Sequence, residues 1–465
     1  YNILVTINND LSKNYSYIYE DVNDLRITTS IKHLLYYIED AKKGDLSHFK
    51  KVIVKKRNDT LHLDVHTKRN LELTETLRLK ERTYSLLWLL DKTKTAMGSR
   101  LLKEYIENPL IKKTEIIRRH NLISTFLVEF IYKEELRELL NNVYDLERLS
   151  GRITYGNVNA RDLLQLKNSI KVLPDIKKIL DIINYDRSFE TLEELYKILD
   201  SSILEDAPVT IKEGNIIKEG YNKELDELRG LSSGGKDFIL NLEQREREKT
   251  GIKNLKVGYN KVFGYYIEIS KGNAKGVKEE FGYERKQTLT NCERFITPEL
   301  KEKESLILNA EEKITALEYE LFIKVKDEVK EYISKIQEIS DIISELDVIL
   351  ALTIVAEQNN FVKPEITDKR SITIKDGRHP VVEVVSKKDY VTNDVIMDEK
   401  TNIFLITGPN MSGKSTYMRM LAIIVILNQI GSFVPCKKAV LPIFDKIFTR
   451  IGASDDLVSG ESTFM

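Results

Sequence analysis

The sequence predicts a multidomain chain with a mainly α-helical core, a small β-rich insertion and a closing α/β segment. Three observations predict it. Leu and Ile recur at three- to four-residue spacing from Asn70 to about Leu204. Glycines interleave with β-formers around Gly258, Gly264, Gly272 and Gly282, and short β runs alternate with a helix after Pro364. The length of 465 residues suits about three domains, and 42% hydrophobic residues suffice to bury a sizeable core.

Taken in order, residues 1–50 combine an apolar start (Ile3, Leu4, Val5, Ile7) with a helical pattern around His33-Leu34-Leu35-Tyr36-Tyr37. Leu61, Leu63 and Val65 alternate with His62, Asp64 and His66, which reads as strand. The helical text that follows is punctuated by Gly98, Pro109, Gly151, Gly156 and Pro174. A further helical stretch at 222–249 is expected to break near Gly234-Gly235, and the β-rich module begins near residue 251. Between Pro298 and Pro364 there is neither Gly nor Pro, while Leu306, Ala310, Ile314, Leu317, Leu321 and Val325 keep helical spacing. As one helix this stretch could reach about 90 Å, and a single break before Leu346 is expected. The β module therefore sits between two long antiparallel helices. After Pro364, β runs at 371–374, 403–407 and 446–450 alternate with a helix from about Lys414.

Charge and cysteines exclude several classes. Lys plus Arg is 72 against 73 for Asp plus Glu, so a uniformly basic coat is ruled out and any nucleic-acid contact must be local. Within 251–300 nine basic residues face six acidic ones, a modest local excess. Cys292 and Cys436 make neither a disulfide framework nor a zinc set, which fits a reducing compartment. No secretory pattern opens the chain, and the apolar stretch 421–427 is far short of the roughly 20 residues of a membrane span. A soluble protein is expected. The start without Met and the end at Ser462-Thr463-Phe464-Met465 suggest part of a longer protein. His62 and His66 read as solvent-face neighbours rather than metal ligands, and Trp88 reads as core.

Gly408-Pro409-Asn410-Met411-Ser412-Gly413-Lys414-Ser415 satisfies G-x-x-x-x-G-K-[ST]. An apolar strand at 403–406 is expected to lead in and a helix at 416–427 to lead out. Such a loop wraps a phosphate chain with backbone N–H groups at a helix N-terminus; Lys414 would bind the β and γ phosphates and Ser415 would hold Mg²⁺. Hydrolysis also needs an apolar strand ending in an acid. The segment Val440-Leu441-Pro442-Ile443-Phe444-Asp445 is a decoy, because Pro442 suits a central strand poorly. Asp455-Asp456 reads equally as a helix N-terminal acidic pair or a functional pair.

Thr407 to Met411 and Gly413 to Arg419 resemble the ATPase loop of the MutS family of DNA mismatch repair proteins. Gly377-Arg378-His379-Pro380-Val381-Val382-Glu383 resembles that family's entry to the ATPase domain, and Phe448-Thr449-Arg450-Ile451-Gly452-Ala453 the segment after the loop. Arg69-Asn70-Leu71-Glu72-Leu73, Met97-Gly98-Ser99-Arg100-Leu101-Leu102 and Asp145-Leu146-Glu147-Arg148 resemble the family core. Val257-Gly258-Tyr259-Asn260, Gly264-Tyr265-Tyr266-Ile267 and Arg285-Lys286-Gln287-Thr288-Leu289 resemble its DNA clamp. Ser412 stands where the family usually has glycine.

The resemblance implies a mainly α core with long lever helices, a small β-rich clamp insertion and a truncated α/β P-loop ATPase domain. Its boundaries would be 1–50 for the end of a connector, 51–237 and 299–363 for the core and levers, 238–298 for the clamp and 364–465 for the ATPase domain. It implies an ATP-dependent sliding clamp on mismatched duplex DNA with ATP and Mg²⁺ as cofactors. Gly408, Pro409, Asn410, Met411, Ser412, Gly413, Lys414, Ser415 and Thr416 would hold the nucleotide, Tyr390 would stack on adenine, and Ser462 would reach the partner subunit's γ-phosphate in a homodimer. Asn260, Lys261, Lys286, Asn291 and Arg294 would contact the backbone of double-stranded DNA. A MutL-type factor would act downstream, in the bacterial cytosol at the nucleoid, with no membrane role. Without a metal-binding acidic strand or a mismatch-reading Phe-x-Glu domain, the chain alone is expected neither to hydrolyse ATP efficiently nor to read mismatches. Two other readings are a MutS relative that binds recombination junctions and an unrelated P-loop enzyme such as a kinase.

Overall fold

Apolar periodicity becomes helix over most of the chain. The computed structural model describes residues 15–42, 52, 60–260, 264–274, 276–278, 281–386, 390–409 and 412–450. The helices are α1 (Leu25–Lys42), α2 (Val65–Asn70), α3 (Leu86–Leu90), α4 (Ala96–Glu107), α5 (Lys113–Val128), α6 (Phe130–Leu140), α7 (Leu146–Tyr155), α8 (Ala160–Lys171), α9 (Leu173–Ile182), α10 (Glu193–Ser202) and α11 (Lys223–Thr250). They continue with α12 (Lys271–Ala274), α13 (Pro298–Lys330), α14 (Ile333–Gln358), α15 (Pro380–Val385) and α16 (Lys414–Ile430). The strands are β1 (His62–Leu63), β2 (Lys256–Asn260), β3 (Gly264–Ser270), β4 (Glu284–Thr288), β5 (Cys292–Ile296), β6 (Glu365–Ile366), β7 (Ile372–Gly377), β8 (Asn393–Met397), β9 (Lys438–Leu441) and β10 (Lys446–Ile447). The chain is therefore mainly helical with small sheets. No described helix is long and apolar enough to cross a membrane.

Two compact units form, one from Tyr1–Thr154, Asn168–Thr191 and Tyr332–Met465, the other from Tyr155–Lys167 and Leu192–Glu331. In the first, α14 is buried on every side from Ile342 to Ala356, as an apolar helix without a polar face must be. It packs against α3, α4, α5 and α6, while α16 packs on α4 and α5. A four-stranded sheet in the order β6-β9-β7-β8 lies in the same unit, with β7 antiparallel to both neighbours and β6 parallel to β9.

Polar groups inside this unit are matched. Asp347 on α14 accepts the Thr95 N–H (2.8 Å) and hydroxyl (2.7 Å) at the start of α4. A Cβ on Gly98 would lie 2.3 Å from Asp347 Oδ2. Gly98 is thus not the break its residue type suggests; it lies inside α4, where only a hydrogen fits beside the carboxylate. Glu345 on α14 accepts from Arg187 (2.9 Å) and the Tyr185 hydroxyl (3.0 Å), and pairs with Arg118. Burial pushes its carboxyl up, but Arg118 with Arg187 and Tyr185 outweighs this and holds it below the usual range.

In the second unit α11 and α13 pair antiparallel. Arg245 bridges Glu299 at 2.5 Å, and farther along Arg229 bridges the buried Glu318 at 2.5 Å. The sheet β2-β3-β5-β4 is antiparallel throughout and lies between the C-terminus of α11 and the N-terminus of α13. Carboxylates of both helices grip it: Val257 N–H donates to Glu243 (2.8 Å), the Tyr283 hydroxyl to Glu246 (2.7 Å) and Tyr265 N–H to Glu304 (3.2 Å). Its buried face, with Leu255, Ile267, Ile269 and Phe295, packs on Leu242, Leu300 and Ile307 of the helices.

Several sequence expectations need correction. The 33 residues of α13 run about 50 Å at 1.5 Å each, and the expected break falls at Glu331 and Tyr332. By contrast α11 continues through Gly234-Gly235. Gly151 likewise lies within α7. The alternation at 61–66 ends after Leu63, because the Asp64 carboxylate accepts the Thr67 N–H (2.6 Å) and starts α2. The segment 403–407 forms no strand: no described strand hydrogen-bonds it, and β8 is the edge of the nearby sheet.

Candidate functional site

A chain that must turn from an extended run into a helix within a few residues needs a left-handed backbone at the junction. Gly413 supplies it, with φ +87° as the N-cap of α16. Of the loop before it, Gly408, Pro409 and Ser412 are exposed, whereas Asn410 and Met411 lie outside the described residues. Lys414 opens the helix and folds its ammonium back onto the loop, donating to Gly408 O (2.8 Å) and Pro409 O (2.6 Å). The 17-residue α16 places the positive end of its dipole, with first-turn N–H groups beyond the helical ladder, at this loop. Ser415 and Thr416 follow on the first turn, half-buried.

A cavity of about 710 Å³ opens beside the loop, lined by Tyr390, Asn393, Thr407, Gly413, Lys414 and Thr416 among others. The sequence-predicted Tyr390 therefore shares a space with the loop residues. Tyr390 is half-buried, and burial pushes its hydroxyl up while a hydrogen bond from the His379 backbone works the other way. His379 caps α15, its Nδ1 accepting the Val382 N–H at 3.3 Å. Burial and then Arg419 push its imidazole down to about 3, so it is neutral. Tyr417 closes the other side by donating its hydroxyl to Asp394 O at 3.0 Å.

Among the described residues no cluster of three or more His, Cys, Asp or Glu side chains could hold a metal ion. That agrees with a Mg²⁺ carried by phosphate oxygens and water, to which a phosphate loop adds one hydroxyl, here that of Ser415. β9 ends at Leu441, ahead of Pro442, so no strand carries Asp445. His62 stacks edge-on with Phe448, His66 is exposed, and Trp88 packs edge-on with Tyr84 in the first unit.

The candidate nucleic-acid residues are spread over the β2-β3-β5-β4 sheet. Asn260 ends β2 opposite Gly264. Lys286 is the extra residue of a β-bulge on the edge strand β4, between Arg285 (paired with Phe295) and Gln287 (paired with Arg294), and it is exposed. Asn291 lies in the β4–β5 turn, its carbonyl accepting the Lys271 N–H at 3.1 Å. Arg294 is engaged within the sheet: it donates to Glu268 (3.1 Å) and Gln287 (3.1 Å), and its guanidinium lies 4.1 Å from the centre of the Tyr266 ring. Lys261 and Ser462, like Asp455-Asp456, lie outside the described residues.

Sequence reasoning missed Arg378, His379 and Glu383 as functional groups, although a Pro at a helix start flanked by Arg and Glu is a visible signal. A family model described as MutS domain III matches residues 66–353, and one described as MutS domain V matches residues 404–465. Among curated proteins, "DNA mismatch repair protein MutS" of Bacillus cytotoxicus is 54% identical over 451 residues, which is 96% of this chain and 50% of that protein. The protein of the same description from Bacillus mycoides is 54% identical over 453 residues, 96% of this chain and 51% of that protein. The chain thus spans about half the length of these relatives.

Proposed function

The chain belongs to the MutS family, and from that premise we propose that it is the part of an ATP-driven DNA mismatch repair clamp that joins nucleotide to duplex. The observation that carries this reading is the single cavity shared by Tyr390, Gly413 and Lys414 at the N-terminus of α16. Lys414 would exchange its two loop carbonyls for β and γ phosphate oxygens, the first turn of α16 would donate N–H groups, and Tyr390 would meet the base. Asn410, Met411 and Ser412 would complete the loop. Bound Mg²⁺ would neutralise phosphate charge, and Ser415 is the chain's own oxygen for it.

In this reading 1–50 ends a connector, 51–237 and 299–363 are core and levers, 238–298 is the clamp, and 364–465 is ATPase domain. The sheet held by α11 and α13 would touch DNA phosphates through Asn260, Lys261, Lys286 and Asn291, a sequence-independent contact that releases counterions. Arg294, tied to Glu268 and Gln287, would shape that surface more than it neutralises phosphate. A homodimer, with Ser462 reaching across to the partner subunit's nucleotide, a MutL-type factor downstream and a place in the bacterial cytosol at the nucleoid complete the proposal. Titration with labelled ATP tests it: Lys414→Ala should lose nucleotide retention and keep salt-sensitive DNA binding, whereas unchanged ATP affinity would overturn the assignment of the loop.

A further inference from the structure

Helix α14 ends at Gln358, with Asn359 as C-cap and Asn360 in the left-handed region at φ +51°. The last carbonyls of any helix lack ladder partners. Here one side chain serves them: Arg378 donates from one guanidinium nitrogen to Asn359 O (3.2 Å) and Asn360 O (2.9 Å). Its other terminal nitrogen donates to Glu383 Oε1 at 2.8 Å. Glu383 Oε2 is buried and has no partner. Arg378 is also fixed through its backbone, its N–H donating to Pro435 O at 2.9 Å.

The residue next to it faces the nucleotide cavity. His379 gives its backbone N–H to the Tyr390 hydroxyl, and the charges of Glu383 and Arg378 both act on that hydroxyl. His379 cannot swing, because its ring caps α15 and is 1% exposed. The turn 377–379 is therefore held on one side by the end of the most buried helix of the unit and holds, on the other, the aromatic wall of the cavity.

We propose that Arg378 is a positioning residue: by clamping Glu383 to the C-terminal carbonyls of α14, it fixes the His379–Tyr390 hydrogen bond and so the ring on which a nucleotide base stacks. This rests on the nucleotide reading above and deepens it, since Arg378 acts on base recognition through Tyr390 without touching a ligand. Arginine suits the task because its planar fork serves a carboxylate and two carbonyls at once, which a lysine ammonium reaches less completely.

A general structural role would weaken every part of nucleotide binding together; a positioning role weakens only the base. The test therefore compares ATP with inorganic tripolyphosphate, which shares the phosphates and lacks the base, by calorimetry on the full chain. Arg378→Ala should lower ATP affinity about tenfold, the size of losing one good base–aromatic stack, and leave tripolyphosphate affinity within about twofold. Arg378→Lys should show the same base-confined loss at about threefold, and it carries the test should the alanine variant fail to fold. Equal losses for both ligands, or none for either, overturn the inference. Lys414→Ala separates the two readings: if it leaves both ligands bound as before, the nucleotide site itself is misplaced and the inference falls with it. If it abolishes both while Arg378 variants show no base-confined loss, only the positioning role falls.

Discussion

Arg119 on α5 donates to the carbonyl of Ile430, at 2.8 Å, the last residue of the helix that begins with Lys414. The guanidinium also stacks 3.5 Å from the centre of the Tyr105 ring. Beside it His120 Nε2 lies 3.1 Å from Ser432 O, and the Gln429 amide bonds Leu110 O and both backbone groups of Phe444. The far end of α16 is thus bound to the core, and its first turn faces the cavity.

Arg119→Met keeps most of the apolar stem and removes the cation and donor at this helix C-terminus. It should cost about 2–3 kcal/mol of stability, as for loss of a charged buried hydrogen bond. Urea denaturation checks it through a lowered midpoint with unchanged slope.

Gly98→Ala should destabilise by about 2–3 kcal/mol through overpacking, since the new methyl would meet Asp347 Oδ2, which the Thr95 hydroxyl and N–H hold in place. Ala is the better helix former, so a stabilised variant in thermal melts would contradict the close approach.

His120 sets a pH window. Burial pushes its imidazole down to about 4 from 6.5, so between those values the unfolded chain takes up a proton that the fold refuses. Its contribution is fully present above pH 6.5 and is lost as pH falls towards 4, on the order of 3 kcal/mol in all. His120→Asn should flatten the fall in melting temperature between pH 6.5 and 4.5 relative to the parent; parallel curves would show that His120 is protonated in the fold.

Lys261→Ala with Lys286→Ala should reduce the slope of log affinity for DNA against log salt by about two charges. Arg294→Ala should change that slope by less than one charge and instead lower the melting temperature, because its guanidinium is shared by Glu268, Gln287 and Tyr266. Filter binding across a salt series separates these outcomes.

What could be read in advance depended on how local the cause was. The break in the long helix, the β module and the phosphate loop are written in short-range patterns, and each formed. The run 403–407 has strand residues, yet a strand exists only through its neighbours, and none of the described ones bonds it. Gly98 carries no local sign that it spares room for Asp347, about 250 residues away in sequence. Asp64 was legible as a helix cap, but the alternation of Leu61, Leu63 and Val65 masked it. Arg378 and Glu383 looked like ordinary surface charges; only the fold brings them to the end of α14.

Ile403, Phe404 and Leu405 stand 86%, 49% and 84% exposed. Three uncharged greasy residues bared to water in an extended backbone form an adhesive edge, on which a second molecule can lay its own copy. Concentrated solutions of these 465 residues should cloud through that edge first, and a lysine in place of Leu405 should keep them clear.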